Sequence, residues 1–390
     1  MQFGYFMNQN NKGLAKPFHQ VMDETRAAAQ YMDRNDWHSI WFTEHHFGHE
    51  GYEVCPNPLM MSCDIAARTE RLRIGQAANI ITFWHPLRVA EDIAMLDHMS
   101  GGRTEVAVGR GIYGREVIQL NEEADTRDQA KNYAIFAEAL EIMRRAWSNE
   151  FFEFKGEHFT YPVPDFKWDH AMSPPSADFM DMESKELQKL ALVPRTLQQP
   201  TPPLWQVVDG PGSIKYAAEH GLNGMMWIPP TDSLVWRFEL FRDTKSEAEG
   251  RDVELGEGLA LVRDMFCTET MEEAERLAGD GILDYLRWVC HWRGLGNHVN
   301  PGEELPETPG KLDLLDYDWL HPRNLLFGTP DYISEKIEEM LSKLNIQTLL
   351  VWSNFPGVEH DAVMRSIQLF TEEVMPRFKG KVQIKQSAAE

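Results

Sequence analysis

"LRIGQAANIITFWHPLRVAEDIAMLDHMSGGRTEVAVG", residues 72–109, holds a strand, a helix and a second strand in one run. Leu72–Thr82 contains the first strand. His85–Met99 then carries apolar residues at Val89, Ile93 and Leu96, the spacing of one helical face. Ser100-Gly101-Gly102-Arg103 stops that helix with glycines, and Thr104–Gly109 reads as the next strand.

The same unit recurs on either side. Phe3–Met7 reads as a strand, followed by a helix from about Pro17 to Asn35, a strand over Ser39–Thr43 and a helix near Pro58–Thr69. A charged helix covers roughly Asp125–Ser148, and "FFEFKGEHFT" looks like a hairpin turning at Lys155-Gly156. Residues 160–203 are rich in Pro, Met and acidic side chains and break the rhythm. It resumes with "PPLWQVV" (202–208), a helix from about Gly212, "GMMWIPP" (224–230), a helix around 232–248 and "LALVRDMFC" (259–267). After a second irregular stretch over about 290–328, Ile333, Ile337, Met340, Leu341 and Leu344 mark one helical face. "IQTLLVW" (346–352) is a strand, and 359–375 is a helix. Eight strands, each paired with a helix by short turns, favour a (β/α)8 TIM barrel over an open doubly wound sheet. The expectation is one α/β domain over 1–390, with insertions at about 150–203 and 281–325.

Composition sets the outer limits. A chain of 390 residues, 43% hydrophobic and with 12 tryptophans, can bury a sizeable core. Its 61 acidic and 38 basic residues give a net charge of −23, which repels nucleic acid and anionic membrane. An anionic ligand therefore needs local positive groups. Cys55, Cys63, Cys267 and Cys290 form no C-x-x-C pair, the pattern of reduced thiols in a cytoplasmic protein. "MQFGYFMNQN" lacks the basic start and apolar core of a signal peptide, and no stretch approaches about 18 consecutive apolar residues.

In a TIM barrel, function collects on the loops after the C-terminal strand ends. The loop after strand two, "WFTEHHFGHE" (41–50), crowds Glu44, His45, His46 and His49 together. A metal site, an acid/base centre and a satisfied structural network all compete for it. Adjacent side chains on an extended chain point to opposite sides, and no further ligand set is visible on other strand ends, so no metal is expected. After strand three come Asn79 and His85; His85, just before Pro86, suits a helix cap. After strand four comes "GRGIYGRE", with glycines around Arg110. After strand five, Gly210-Pro211-Gly212-Ser213 opens a helix. Free backbone N–H groups and the Ser213 hydroxyl at that terminus suit a phosphate, with Arg110 adding fixed positive charge; an ordinary helix cap is the rival.

Together these segments resemble the luciferase-like flavin-dependent monooxygenase family. "WFTEHHF", "AANIITFWHPLRVAEDIAMLDHMSGGR", "VAVGRGIYGRE", "PPLWQVVDGPGSIKYAAEHGL", "LVRDMFCTETMEEAERLA", "FGTPDYISEKIEEML" and "LFTEEVMPRF" carry the resemblance, in order, from about residue 1 to 378. It implies a barrel that binds FMN as FMNH2, reduced by a separate flavin reductase, and reacts it with O2. The resulting C4a-hydroperoxide would oxygenate a small apolar organic substrate. The phosphate would go to Ser213, Gly212 and Arg110, with Ile112 beside them. Ala77 and Ala78, next to Asn79, would form a bulge under the flavin ring. Glu44 and His45 would line the reacting side, with His45 moving a proton. Asp209 and Gly210 stand where luciferase members place a polar pair, and Gly109 where they have a cysteine. Residues 281–325, with Trp288, His291, Trp292 and Arg293, match the position of the family's lid. A homodimer or heterodimer is expected. Rival readings are a deazaflavin-dependent barrel, a non-catalytic flavin-binding subunit and a metal-dependent barrel hydrolase. "GRGIYGRE" fits the FMN pattern better than the deazaflavin one.

Overall fold

The computed structural model describes residues 1–305 and 315–381, with every side chain among them except that of Trp292. Among these residues, eight parallel strands close into a barrel. β1 (Gln2–Met7), β2 (Ser39–Phe42), β3 (Arg73–Ile80) and β4 (Thr104–Gly109) pair in chain order. A short antiparallel hairpin, β5 (Phe154–Lys155) and β6 (Thr160–Tyr161), stands outside the wall. β7 (Leu204–Val207), β8 (Asn223–Met226) and β9 (Leu259–Cys267) continue the wall. β10 (Leu325–Gly328) pairs only with β9, and β11 (Thr348–Trp352) closes the ring against both β9 and β1.

The helices are α1 (Phe18–Arg34), α2 (Pro58–Ala66), α3 (Pro86–Ser100), α4 (Gly114–Leu120), α5 (Gln129–Ser148), α6 (Pro211–Glu219) and α7 (Thr231–Glu249). α8 (Met271–Ala274) runs through a widened turn into α9 (Asp280–Arg293). α10 (Tyr317–Asn324), α11 (Pro330–Leu344), α12 (His360–Leu369) and α13 (Met375–Phe378) complete the set.

Parallel strands covered on both faces read as unbroken apolar runs, and all nine residues of β9 are buried. The helices bury a single stripe: Val89, Ile93 and Leu96 on α3, and Ile333, Ile337, Met340 and Leu344 on α11. Gly101, in the left-handed conformation, ends α3, and Thr329 caps α11 by accepting the Tyr332 N–H. Gly75 is a glycine because a Cβ there would lie 2.1 Å from the Trp41 ring, which β2 lays across β3.

The eight expected strands are the eight of the barrel. The expected insertion at about 281–325 holds regular structure at both ends: α9 runs through it to Arg293, and α10 leads into β10 at its close. Ile282, Leu283, Leu286, Val289 and Cys290 recur at helical spacing on α9 and are buried, which is why that segment folds as a helix. β10 is a ninth strand on the β8 edge of β9, since Asp264 faces Leu325 on one side and Trp352 on the other. Residues 306–314 of the expected lid, and the Trp292 side chain, lie outside the described residues. Among the described residues, no helix is long and apolar enough to cross a membrane.

Candidate functional site

A cavity of about 540 Å3 opens at the C-terminal mouth of the barrel, within the roughly 300–1,000 Å3 of small-molecule sites. Phe6, Met225, Trp227, Ile228 and Val262 supply apolar wall. On one side stand Arg110, Ile112, Asp209 and Ser213, and on the other Glu44, His45, Glu53 and Glu116.

The loop after β2 is held by its carboxylates. Glu44 is buried; its carboxylate accepts the Ile80 N–H at 2.7 Å and Trp84 Nε1–H at 2.8 Å, and lies 3.0 Å from His46 Nε2. The His46 backbone N–H donates to Glu116 at 2.8 Å. His46 thus belongs to the supporting structure. His45 turns the other way, its Nδ1 lying 3.3 Å from Glu116 Oε1 and 3.4 Å from Glu53 Oε2. Burial works against charge on this ring, but Glu53 and Glu116 outweigh it and raise its pKa above that of an ordinary imidazole. Burial raises the Glu53 pKa, against the pull of His45 and of the Tyr285 hydroxyl, which donates to it at 2.8 Å. His49 is exposed beside Glu50, and His85 pairs with Tyr161 at 3.0 Å; neither lines the cavity.

Beneath the site, the β3–β4 register shifts between Gln76 and Asn79, and the Ala77–Ala78 peptide is cis. Ala77 and Ala78 line the cavity, whereas the Asn79 side chain is buried and donates to Gln76. A Cβ on Gly109 would lie 2.9 Å from Ile80 Cδ1 and 3.2 Å from Ala78 Cβ, so this wall stays low.

On the opposite side, Gly210 and Pro211 open α6. The Ser213 hydroxyl is already engaged: it donates to the Gly210 carbonyl at 3.0 Å and accepts the Asp209 N–H at 3.1 Å. The hydroxyl thus also stabilises the turn, and Ser213, expected at the phosphate, lines the cavity. Gly210 and Gly212, lacking side chains, do not themselves line the cavity. Asp209 accepts from Asn297 at 3.0 Å. Arg110 donates to the neutral amide oxygens of Asn132 and Gln129 and lies over the Tyr133 ring, which in turn meets Tyr216 of α6. Among the described residues no carboxylate pairs with Arg110, so its charge is uncompensated.

Sequence reasoning missed Glu53, Glu116, Gln206, Tyr285 and Val289, all of which line the cavity; Arg293, expected on the lid, lines it too. Trp288 packs behind them on Tyr52 and Tyr113. Glu116 closes the "GRGIYGRE" segment and Glu53 lies nine residues beyond Glu44, so chain proximity was the available signal. Among the described residues no group of three His, Cys, Asp or Glu side chains is placed to hold a metal.

Comparison with known proteins agrees with this geometry. The sequence pattern of the luciferase-like monooxygenases matches residues 1–348. The oxygenase component of a flavin-dependent trigonelline monooxygenase from Acinetobacter baylyi is 23% identical, over 97% of this chain and 96% of its own. The oxygenating constituent of 3,6-diketocamphane monooxygenase from Pseudomonas putida, a type II Baeyer-Villiger enzyme solved with FMN, superposes with a TM-score of 0.77. It is 20% identical and covers 99% of both chains. An F420-dependent secondary alcohol dehydrogenase shares the fold at a TM-score of 0.64 and 19% identity, over 96% of this chain and 98% of its own. With its pattern matched over most of its length, the chain belongs to the luciferase-like monooxygenase family and, with it, to the flavin-dependent monooxygenases.

Proposed function

We propose that the chain is the oxygenase half of a two-component system that uses FMNH2, delivered by a separate flavin reductase, and O2 to oxygenate an organic substrate with an apolar body. One observation carries the reading: a single cavity is lined by Arg110 and Ser213 of the α6 terminus and also by His45, which is only partly exposed. The donor set suits FMN. The uncompensated Arg110 charge and the α6 N–H groups suit its phosphate. The low wall of Ala77, Ala78 and Gly109 leaves space for a flat ring, and the buried, unpartnered Gln206 Oε1 can accept from a ring N–H.

What bound reduced FMN supplies is activation of O2, by the route the sequence resemblance implies. The chain's own residues do the rest. His45, whose pKa is raised by Glu53 and Glu116 against burial, can give and take a proton in the cavity. Glu116 and Glu53 position that ring, and Tyr285 fixes Glu53. α9 roofs the cavity with Tyr285 and Val289 and limits water, which protects a reactive oxygen species. We place the enzyme in the cytoplasm with its four cysteines reduced, and as a dimer with itself or a related chain.

The deciding experiment supplies chemically reduced FMN under air with a panel of aldehydes, ketones, terpenes and aromatics. An oxygenated product supports the proposal. Turnover only with a deazaflavin, or none with any flavin, overturns it.

A further inference from the structure

A second cavity, of about 230 Å3, lies outside the barrel wall between β9, α7, α10 and α11. Its lining includes Arg263, Asn300, Arg323, Asn324 and Lys336, together with the opening residues of α7. Arg263 is the unusual member. It stands in the middle of β9, is 2% exposed, and forms no ion pair among the described residues. Its guanidinium donates to two backbone carbonyls, Pro229 at 2.7 Å and Val262 at 3.2 Å. The neighbouring Asp264 accepts from Trp227 instead.

A buried charge without an ion pair is costly, and burial pulls the Arg263 pKa down to about 10 against the opposing effect of Asp264. Arg323 is matched by Glu303, and Lys336 and Lys343 by Glu339 and Asp232, two carboxylates that also line the cavity. The carboxylate whose charge acts on Arg263 is its buried strand neighbour Asp264, and the guanidinium stands at the bottom without an ion pair among the described residues. Donors remain open around it: Arg323 Nε is buried without a partner, and α7 starts at Thr231 with no side chain capping it. The Asn324 amide nitrogen is already used, donating to the Ile228 carbonyl at 2.7 Å, and its Oδ1, buried and unpartnered, is an acceptor that an anion would not use.

We propose that this cavity is a second binding site for a small oxyanion, inorganic phosphate or a compact carboxylate, seated on Arg263 and the α7 terminus. An anion there would brace the turn after β8. Arg263 and Asn324 hold the carbonyls of Pro229 and Ile228, and Trp227 and Ile228 form part of the main cavity wall. The site does not depend on which flavin, if any, the main cavity takes.

Calorimetric titration with inorganic phosphate, and separately with malonate, tests this in the presence of excess FMN, so that the main cavity is not the binding site measured. One equivalent should bind saturably to the wild type, and the tighter of the two anions identifies the class. Arg263→Gln and Lys336→Gln should each weaken it by about tenfold or more, the usual result of removing a charge-assisted contact. If Arg263→Gln does not fold, Lys336→Gln decides alone. Absence of saturable binding, or unchanged affinity in the folded variants, overturns the site and leaves Arg263 as a clamp on the β8–α7 turn.

Discussion

Nδ1 of His45 lies 3.3 Å from Oε1 of Glu116, and that same oxygen accepts the backbone N–H of His46 at 2.8 Å. One buried carboxylate thereby fixes the loop and holds charge on the ring that faces the cavity. Replacing Glu116 by Gln should lower the His45 pKa toward the ordinary imidazole value of about 6.5, read from its NMR titration. The folded-state pKa of His45 is raised, so its charge contributes stability fully below about pH 6.5 and loses it as pH rises through the folded value. The stability gap between wild type and Glu116→Gln in denaturant should therefore narrow at alkaline pH. An unshifted titration would show that Glu116 does not govern this ring.

Glu44 behaves as a structural hub. Its carboxylate serves three donors, on Ile80, Trp84 and His46. Glu44→Ala orphans them at about 1–3 kcal/mol each, so the variant should unfold at markedly lower denaturant. His46→Ala should lose stability by a smaller amount and retain reactivity in the folded fraction. A Glu44→Ala variant as stable as wild type would contradict the network.

The barrel was legible in the sequence because most strands are short, largely buried runs between helices with a 3.6-residue stripe, as β3, α3 and β4 show within 38 residues of chain. The site was legible at Glu44, His45 and Arg110, which sit on strand ends. Glu53 and Glu116 escaped notice because their role depends on two loops folding onto one ring, which no spacing encodes. Likewise, the Ser213 hydroxyl could not be known to bond with Asp209 and Gly210 until the turn was built.

Among the described residues Arg110 donates to neutral groups and pairs with no carboxylate, which leaves its charge for a ligand. Arg110→Ala should weaken FMNH2 binding at least about tenfold in anaerobic titration, with a smaller effect on riboflavin, which has no phosphate. Equal FMNH2 affinity in both proteins would remove Arg110 from the site.

The chain carries no Rossmann fingerprint, so electrons should reach it only as reduced flavin. Purified protein with FMN should oxidise NADH slowly if at all, and any reductase that releases FMNH2 should restore product formation. Rapid NADH turnover by the chain alone would refute the two-component reading.

The account turns on His45 as the proton-moving residue, and its direct test is product formed per reduced flavin by His45→Ala. The variant should still fold, at lower stability because Glu53 and Glu116 lose their partner, and bind FMNH2 like wild type, while product formation falls by about 10²–10⁴-fold, the range for a lost general acid or base. Rapid mixing with air should then show the oxygen consumed appearing as H2O2 in place of product. An unchanged yield per reduced flavin would contradict the assignment and make the whole histidine cluster structural.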